Sequence, residues 1–311
     1  MDAFSEILSG FKLNRALFFS AELSAPWGVD SPPIRQLLIY HFVVEGKAVA
    51  TLQDGQTIAL EPGDIVIFPH GDPHRMSSVE GTASAWHESA LLTKLKTRDL
   101  SPVRLGGGGA KTRFVCGFMS FDTHVSGHLL GGLPEVFKVN IHTDRSGHWL
   151  RNSILHLVDE AASGRAGSEA MLTKLSEVLF VDVVRRYVAS MPEQQAGWLA
   201  GARDPIVGRS LSLLHSRVDH PWTIADLASE VGLSRSSLVE RFTRYLAQPP
   251  MTYLTRWRLQ LAARALQSTL RGVAEIAADV GYESEAAFNR AFKREYGLPP
   301  ARYRRELRIA G

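Results

Sequence analysis

The chain has 311 residues, 45% of them hydrophobic, which is ample for two packed cores and more than one typical domain needs. Met1 to Leu23 mixes acidic and basic residues without the basic start, apolar stretch and small-residue cleavage site of an export signal. The longest apolar runs, such as Leu37–Val44 and Val178–Val184, are far shorter than the roughly 20 residues a membrane helix requires. Cys116 is the only cysteine, which rules out an intrachain disulfide and favours a reducing compartment, so a cytoplasmic protein with no membrane partner is expected.

The net charge of +3 is unevenly spread: residues 206–311 carry 16 Arg and Lys against 10 Asp and Glu, leaving 19 against 22 in the first 205. Fifteen of those 16 cations are arginines. An Arg-rich end suits a polyanion, because neutralising phosphates releases condensed counterions; it equally suits a solvated basic surface.

From Arg15 to Phe121 short segments alternate or run apolar between turn signals: Gln36–Val44, Ala48–Gln53, Thr57–Leu60, Ile65–Pro69 and Thr112–Phe121. Asp54-Gly55 reads as a hairpin turn and Glu61-Pro62-Gly63-Asp64 as another tight turn, so a β-sandwich or barrel is predicted. Gly106–Gly109 lacks the lysine and Ser/Thr of a phosphate loop and reads as a flexible loop.

The period turns helical at Trp149, where Leu150, Ile154, Leu157 and Val158 share a face. A second helix runs from Ser168 to Tyr187 with the stripe Leu172, Leu175, Val178, Leu179 and Val183. That stripe either packs on the β-domain alone or also forms a dimer interface. The boundaries that follow are a sensor domain at 1–190 with its helical part at 147–190, a linker at 191–205, and a helical domain at 206–311.

The helical domain contains an internal repeat. Ala225–Gly232 aligns with Ala274–Gly281 at an offset of 49, and Ser234, Leu238, Phe242, Pro249-Pro250 and Tyr253 align with Ser284, Phe288, Phe292, Pro299-Pro300 and Tyr303 at 50. Each copy meets the requirements of a helix-turn-helix, over about 223–246 and 272–296. Small Ala228 or Ala277 allows a close crossing, Gly232 or Gly281 takes the sharp turn, and Ser234 or Ser284 caps the second helix. With Leu238 and Phe242 facing the core, Ser236, Val239 and Glu240 lie near the exposed N-terminal face; their partners are Ala286, Asn289 and Arg290. Arg pairs with a guanine edge and Asn with an adenine edge in the major groove, which equips the second copy better for reading bases. Arg235, Arg241, Arg244, Lys293 and Arg294 read as phosphate contacts or solvated charges. A joining helix over Met251–Gln267, about 25 Å long, would hold the two recognition helices roughly one DNA turn apart.

These residues resemble the AraC/XylS family of bacterial transcription regulators over Pro205–Arg308. Ile276–Tyr282, Phe288–Lys293 and Gly297–Tyr303 read like its signature, with Pro299 where a serine is usual. The resemblance implies base contacts at Ser236, Val239 and Glu240 in the first motif and at Glu285, Ala286, Asn289 and Arg290 in the second, where a carboxylate would accept from cytosine. The N-terminal region is similar to the family's cupin-type sensors: Gly63-x5-Pro69-x-Gly71-x2-His74 matches one cupin motif, and Tyr40-His41-x3-Glu45-Gly46 is a degraded form of the other, with Ile39 in place of its first histidine. Cys116-Gly117-x4-Asp122 with His128-Leu129-Leu130 extends the similarity.

The expected fold is therefore α+β multidomain, a cupin-like β-barrel with a helical dimerisation segment followed by an all-α tandem helix-turn-helix domain. The expected function is an effector-responsive, sequence-specific DNA-binding regulator, not an enzyme; the alternative is a metal-dependent cupin enzyme fused to a DNA-binding module. Its partners would be double-stranded DNA, a small-molecule effector, RNA polymerase and a second copy of the chain. Nine of the eleven histidines precede residue 157, and imidazole with thiolate suits tetrahedral zinc, so His41, His74, Cys116 and His128 form a candidate zinc set. The same residues also suit a plain core, with the cysteine a small apolar side chain and His74 hydrogen-bonded within the sheet.

Overall fold

The computed structural model describes residues 4–5, 8, 13–34, 37–83, 88–121, 130, 132–141, 147–163, 165–192 and 197–310. The chain divides into two compact units, one of residues 11–190 and one joining residues 1–10 to 191–311.

In the first unit two sheets lie face to face. The six-stranded sheet has the order β10(Phe137–Asn140), β6(Asp64–Phe68), β3(Leu37–Glu45), β9(Lys111–Phe121), β1(Leu13–Ser24), β8(Val103–Gly106). The four-stranded sheet has the order β2(Gly28–Ser31), β7(His74–Ser77), β4(Ala48–Leu52), β5(Thr57–Leu60). Among the described residues only β1 and β8 pair in parallel; every other described ladder is antiparallel. Among the described residues no ladder joins the two sheets, so the predicted barrel is an open sandwich. The small sheet ends on four-residue strands, β2 and β5, too short to carry hydrogen bonding around a corner.

β3 is buried almost throughout, and its period of two serves both faces. Ile39 and Val43 join the inter-sheet core with Ala48, Ala50, Met76, Phe114 and Phe118. Leu38 and Tyr40 face the other way, against Ile154 of α2(Gly147–Ser163) and Leu179, Phe180 and Val183 of α3(Ser168–Ser190). A further helix, α1(Glu88–Thr97), was not predicted; Leu91 anchors it in the inter-sheet core. The Asp54-Gly55 turn is present, with Gln56 N–H donating to Asp54 Oδ1 at 2.9 Å, and Asp64 N–H closes the next turn on Glu61 O at 3.0 Å. Gly106–Gly109 is not a loose loop: Gly107 and Gly109 N–H donate to the carbonyls of Ser24 and Ala25 at 2.9 and 2.8 Å, strapping the run to the end of β1.

The second unit is helical: α4(Trp198–Arg203), α5(Pro205–Ser216), α6(Ile224–Glu230), α7(Arg235–Leu246), α8(Pro250–Ser268), α9(Val273–Asp279), α10(Glu285–Tyr296) and α11(Pro300–Ala310). The segment expected to be a linker therefore holds a helix, because Leu199 and Ala200 bury themselves and Trp198 packs on the first helical core. Of the N-terminal segment, the described residues Phe4, Ser5 and Leu8 group with this unit: Leu8 is buried and the Phe4 ring lies 6.4 Å from Trp198. No described helix is long and apolar enough to cross a membrane.

Candidate nucleic-acid interface and sensor cavity

Each repeat builds its own core, and α8 serves both. Tyr253 and Leu254 join Leu227, Ala228, Leu238 and Phe242, whereas Leu259, Ala262, Ala263 and Leu266 join Ile276, Ala277, Phe288 and Phe292. At 19 residues α8 is about 28 Å long, close to one turn of DNA.

The second helix of each repeat starts at a serine cap. Ser234 Oγ accepts from Ser237 N–H and Ser284 Oγ from Ala287 N–H, fixing where α7 and α10 begin. Both turns place a glycine in the left-handed region, Gly232 at φ 71° and Gly281 at φ 78°. Space around them differs. A Cβ on Gly232 would meet nothing within 4 Å, but one on Gly281 would lie 2.7 Å from Arg258 Nη2 and from the Asp219 carbonyl. Arg258 in turn donates to the carbonyls of Val218 at 2.8 Å and His220 at 2.7 Å, so this α8 side chain ties the approach to the first motif to the turn of the second.

Leu238, Phe242, Phe288 and Phe292 are fully buried, which turns the opposite faces of α7 and α10 outward. Ser236, Glu240, Arg235 and Arg244 are exposed on α7, with Val239 half-buried; Glu285, Ala286, Arg290, Lys293 and Arg294 are exposed on α10, with Asn289 half-buried. Asn289 Nδ2 lies 3.4 Å from Glu285 Oε1 one turn earlier, so the two side chains form one polar unit. The Arg244 guanidinium sits 5.1 Å over the Tyr245 ring.

Arg241 departs from the expected role of phosphate contact. Its Nε and Nη2 reach Asp204 at 3.0 and 2.7 Å, and Asp204 also caps α5 by accepting from Ile206 and Val207 N–H. Burial works to raise the Asp204 pKa, but the Arg241 guanidinium and the two backbone donors outweigh it and hold the carboxyl below its usual range. The guanidinium is committed to a buried carboxylate.

In the sandwich a cavity of about 40 Å³ lies between the sheets, lined mainly by apolar side chains including Phe19, Leu23, Met76 and Phe114, with Leu91 contributed by α1. Three polar residues meet there, His41 and Cys116 from the six-stranded sheet and His74 from the four-stranded sheet. His74 Nδ1 lies 2.9 Å from the Asp72 carbonyl, which only accepts, so in the neutral ring Nδ1 carries the proton and Nε2 accepts. His41 Nε2, 2.9 Å away, then donates, leaving His41 Nδ1 to accept from the Cys116 thiol at 3.1 Å. Burial supports that assignment: it holds His41 well below its usual pKa, with help from His74, lowers His74 to about 4 and raises Cys116 to about 12. The groups are neutral at pH 7.

Three of the four candidate zinc ligands, His41, His74 and Cys116, are brought together in a line, with one His41 ring nitrogen turned to each neighbour. Among the described residues no group of three or more His, Cys, Asp or Glu is placed to hold a metal ion. His128 lies outside the described residues. Sequence reasoning missed Ser31, which lines the cavity and whose buried hydroxyl has no partner among the described residues. It sits opposite His74 in the β2–β7 ladder, on a four-residue strand that gives no periodic signal.

A cupin-type sheet unit combined with paired helix-turn-helix motifs defines a DNA-binding transcription regulator carrying its own sensor. The comparisons agree: residues 2–189 match the cupin family and residues 227–306 the helix-turn-helix domain family. A putative AraC-like transcription regulator of Streptomyces lividans is 37% identical over 98% of both chains, and the regulator AlkR of Acinetobacter baylyi is 28% identical over 98% of this chain and 100% of its own. The DNA-binding domain of AdpA, solved with a target DNA, is 26% identical and covers 34% of this chain and 96% of its own, with a TM-score of 0.33. The chain belongs to the AraC family of transcription regulators.

Proposed function

We propose that the protein couples occupation of its inter-sheet cavity to the way α7 and α10 engage double-stranded DNA in two successive major grooves, in the cytoplasm and in contact with RNA polymerase. The carrying observation is the repeat itself: two serine-capped helices, each exposing its N-terminal face, are held on separate cores by one helix about 28 Å long. In this reading Ser236, Val239, Glu285, Ala286, Asn289 and Arg290 face bases. Arg235, Arg244, Lys293 and Arg294 face phosphates. The sandwich senses rather than catalyses, since the polar groups His41, His74 and Cys116 are spent on one another. Footprinting of the full-length protein across the DNA flanking its own gene, with and without candidate effectors, tests this; protection that spreads without sequence preference contradicts it.

We further propose a homodimer through α3. Leu172, Leu179 and Val183 of the expected stripe are buried in their own domain, but Val178 and Met171 are 52% and 48% exposed and Leu175 is half-buried on the outer face. A resident zinc is a second reading, favoured by one distance: the Nε2 atoms of His41 and His74 lie 2.9 Å apart. It would need further ligands, with His128 a candidate. Metal analysis of protein purified without chelator supports it at about one equivalent per chain and dismisses it at none.

A further inference from the structure

The structure points to the chemical class of the effector: we infer that the inter-sheet cavity takes a small, uncharged, largely apolar molecule carrying one hydroxyl or carbonyl, held by the Ser31 hydroxyl. This rests on reading the cavity as the effector pocket.

The lining decides the class. None of the described lining residues carries a formal charge at neutral pH, and phenylalanine, leucine, valine and methionine make up most of the wall. A carboxylate or ammonium buried there would find no counter-charge, and a molecule with many hydroxyls would leave most of them without partners; both are strongly disfavoured. The thiol and the two imidazoles do not change this, because Cys116, His41, His74 and the Asp72 carbonyl already satisfy one another in a closed chain of donors and acceptors. Ser31 is different. Its Oγ is buried, lines the cavity and has no hydrogen-bond partner among the described residues, so it is ready to give and to take one hydrogen bond. A single polar group on the ligand matches it.

The cavity volume adds a condition. About 40 Å³ is below the roughly 150 Å³ that accommodates benzene, so an organic ligand has to push a wall outward. Every described lining residue but Leu91 belongs to a strand. Strands are locked by their ladders, whereas Leu91 rides on α1; binding of the ligand displaces α1 from the sandwich.

The test measures binding of 1-hexanol, 2-heptanone, hexanoate, hexylammonium, glucose and toluene to the full-length protein by titration calorimetry. The neutral six- and seven-carbon compounds are expected to bind saturably, with hexanoate, hexylammonium and glucose at least about 100-fold weaker. Ser31→Ala is expected to weaken 1-hexanol roughly tenfold, to leave toluene unchanged, and to be rescued by Ser31→Thr. Hexanoate or hexylammonium binding as tightly as 1-hexanol overturns the inference. So does equal affinity of wild type and a folded Ser31→Ala protein for 1-hexanol, or zinc bound to His41 and His74, which would place a dication in the cavity. A cavity-filling Ala21→Leu protein that binds 1-hexanol unchanged puts the ligand elsewhere and also overturns the inference, whereas Ser31-dependent binding that leaves the DNA footprint unaltered supports the ligand class and overturns only the effector-pocket reading.

Discussion

His41 spends both ring nitrogens, one on a thiol and one on a second imidazole, and this makes the sandwich sensitive to acid. In an unfolded chain His41 and His74 would protonate near pH 6.5, whereas in the fold burial lowers His41 well below that and His74 to about 4. As pH falls from about 6.5 towards about 4, the unfolded state takes up protons the native state refuses, so stability present above about 6.5 is progressively lost. Thermal melts of the full chain between pH 7.5 and pH 5 are expected to show the loss, with a shallower pH slope in His74→Gln; a Tm that rises on acidification contradicts the neutral chain. Arg241 supplies a second residue-level test. Removing it strands Asp204, which is only 4% exposed, and should cost about 1–2 kcal/mol after allowing for the partial exposure of the guanidinium. The salt dependence of DNA binding should stay as in wild type, whereas loss of a phosphate contact would reduce the salt slope by about one. The motif spacing made Arg241 look free because Asp204 is 37 residues away, and no local pattern shows such a partner.

At the scale of elements, the strands that were legible were those with strong local punctuation. β3 to β6 and β9 carry turn pairs and apolar runs, whereas β2, β7, β8 and β10 are four-residue strands whose pairing is decided by distant partners. β1 is twelve residues long with an irregular burial pattern, and its register with β9 shifts near Leu13 and Arg15, so no clean alternation marks it. Helix ends in the repeat were readable because serine caps act locally. The two turn glycines, equivalent by alignment, are not equivalent in space. Alanine at either costs about 1–2 kcal/mol for a side chain in the left-handed region. Gly281→Ala should cost more than Gly232→Ala, because its Cβ would meet Arg258 and the Asp219 carbonyl. Denaturant titration of both variants measures the difference, and equal losses contradict the crowding at Gly281. On α3, Leu175→Glu and Val178→Glu should shift the full chain from dimer to monomer in analytical ultracentrifugation with the fold intact; a wild-type chain that is monomeric at micromolar concentration removes the dimer.

The division of labour across the whole molecule was legible because a 50-residue repeat leaves a signature that no single helix does, and because the Arg-rich composition lies on the same half. The sensor chemistry was less so. His41, His74 and Cys116 were singled out by residue type, but only the fold shows that His41 and Cys116, paired on β3 and β9, meet His74 across the two sheets, with Ser31 opposite His74 on β2. Joint engagement of two grooves is the central claim, and hydroxyl-radical footprinting of the full-length protein on an isolated site tests it most directly. Each chain should protect two patches about one turn apart on one face of the duplex. Arg290→Ala should selectively weaken the patch under α10, by about 1–3 kcal/mol on the specific site and far less on random DNA. A single protected patch per chain, or equal losses on specific and random DNA, would contradict the account.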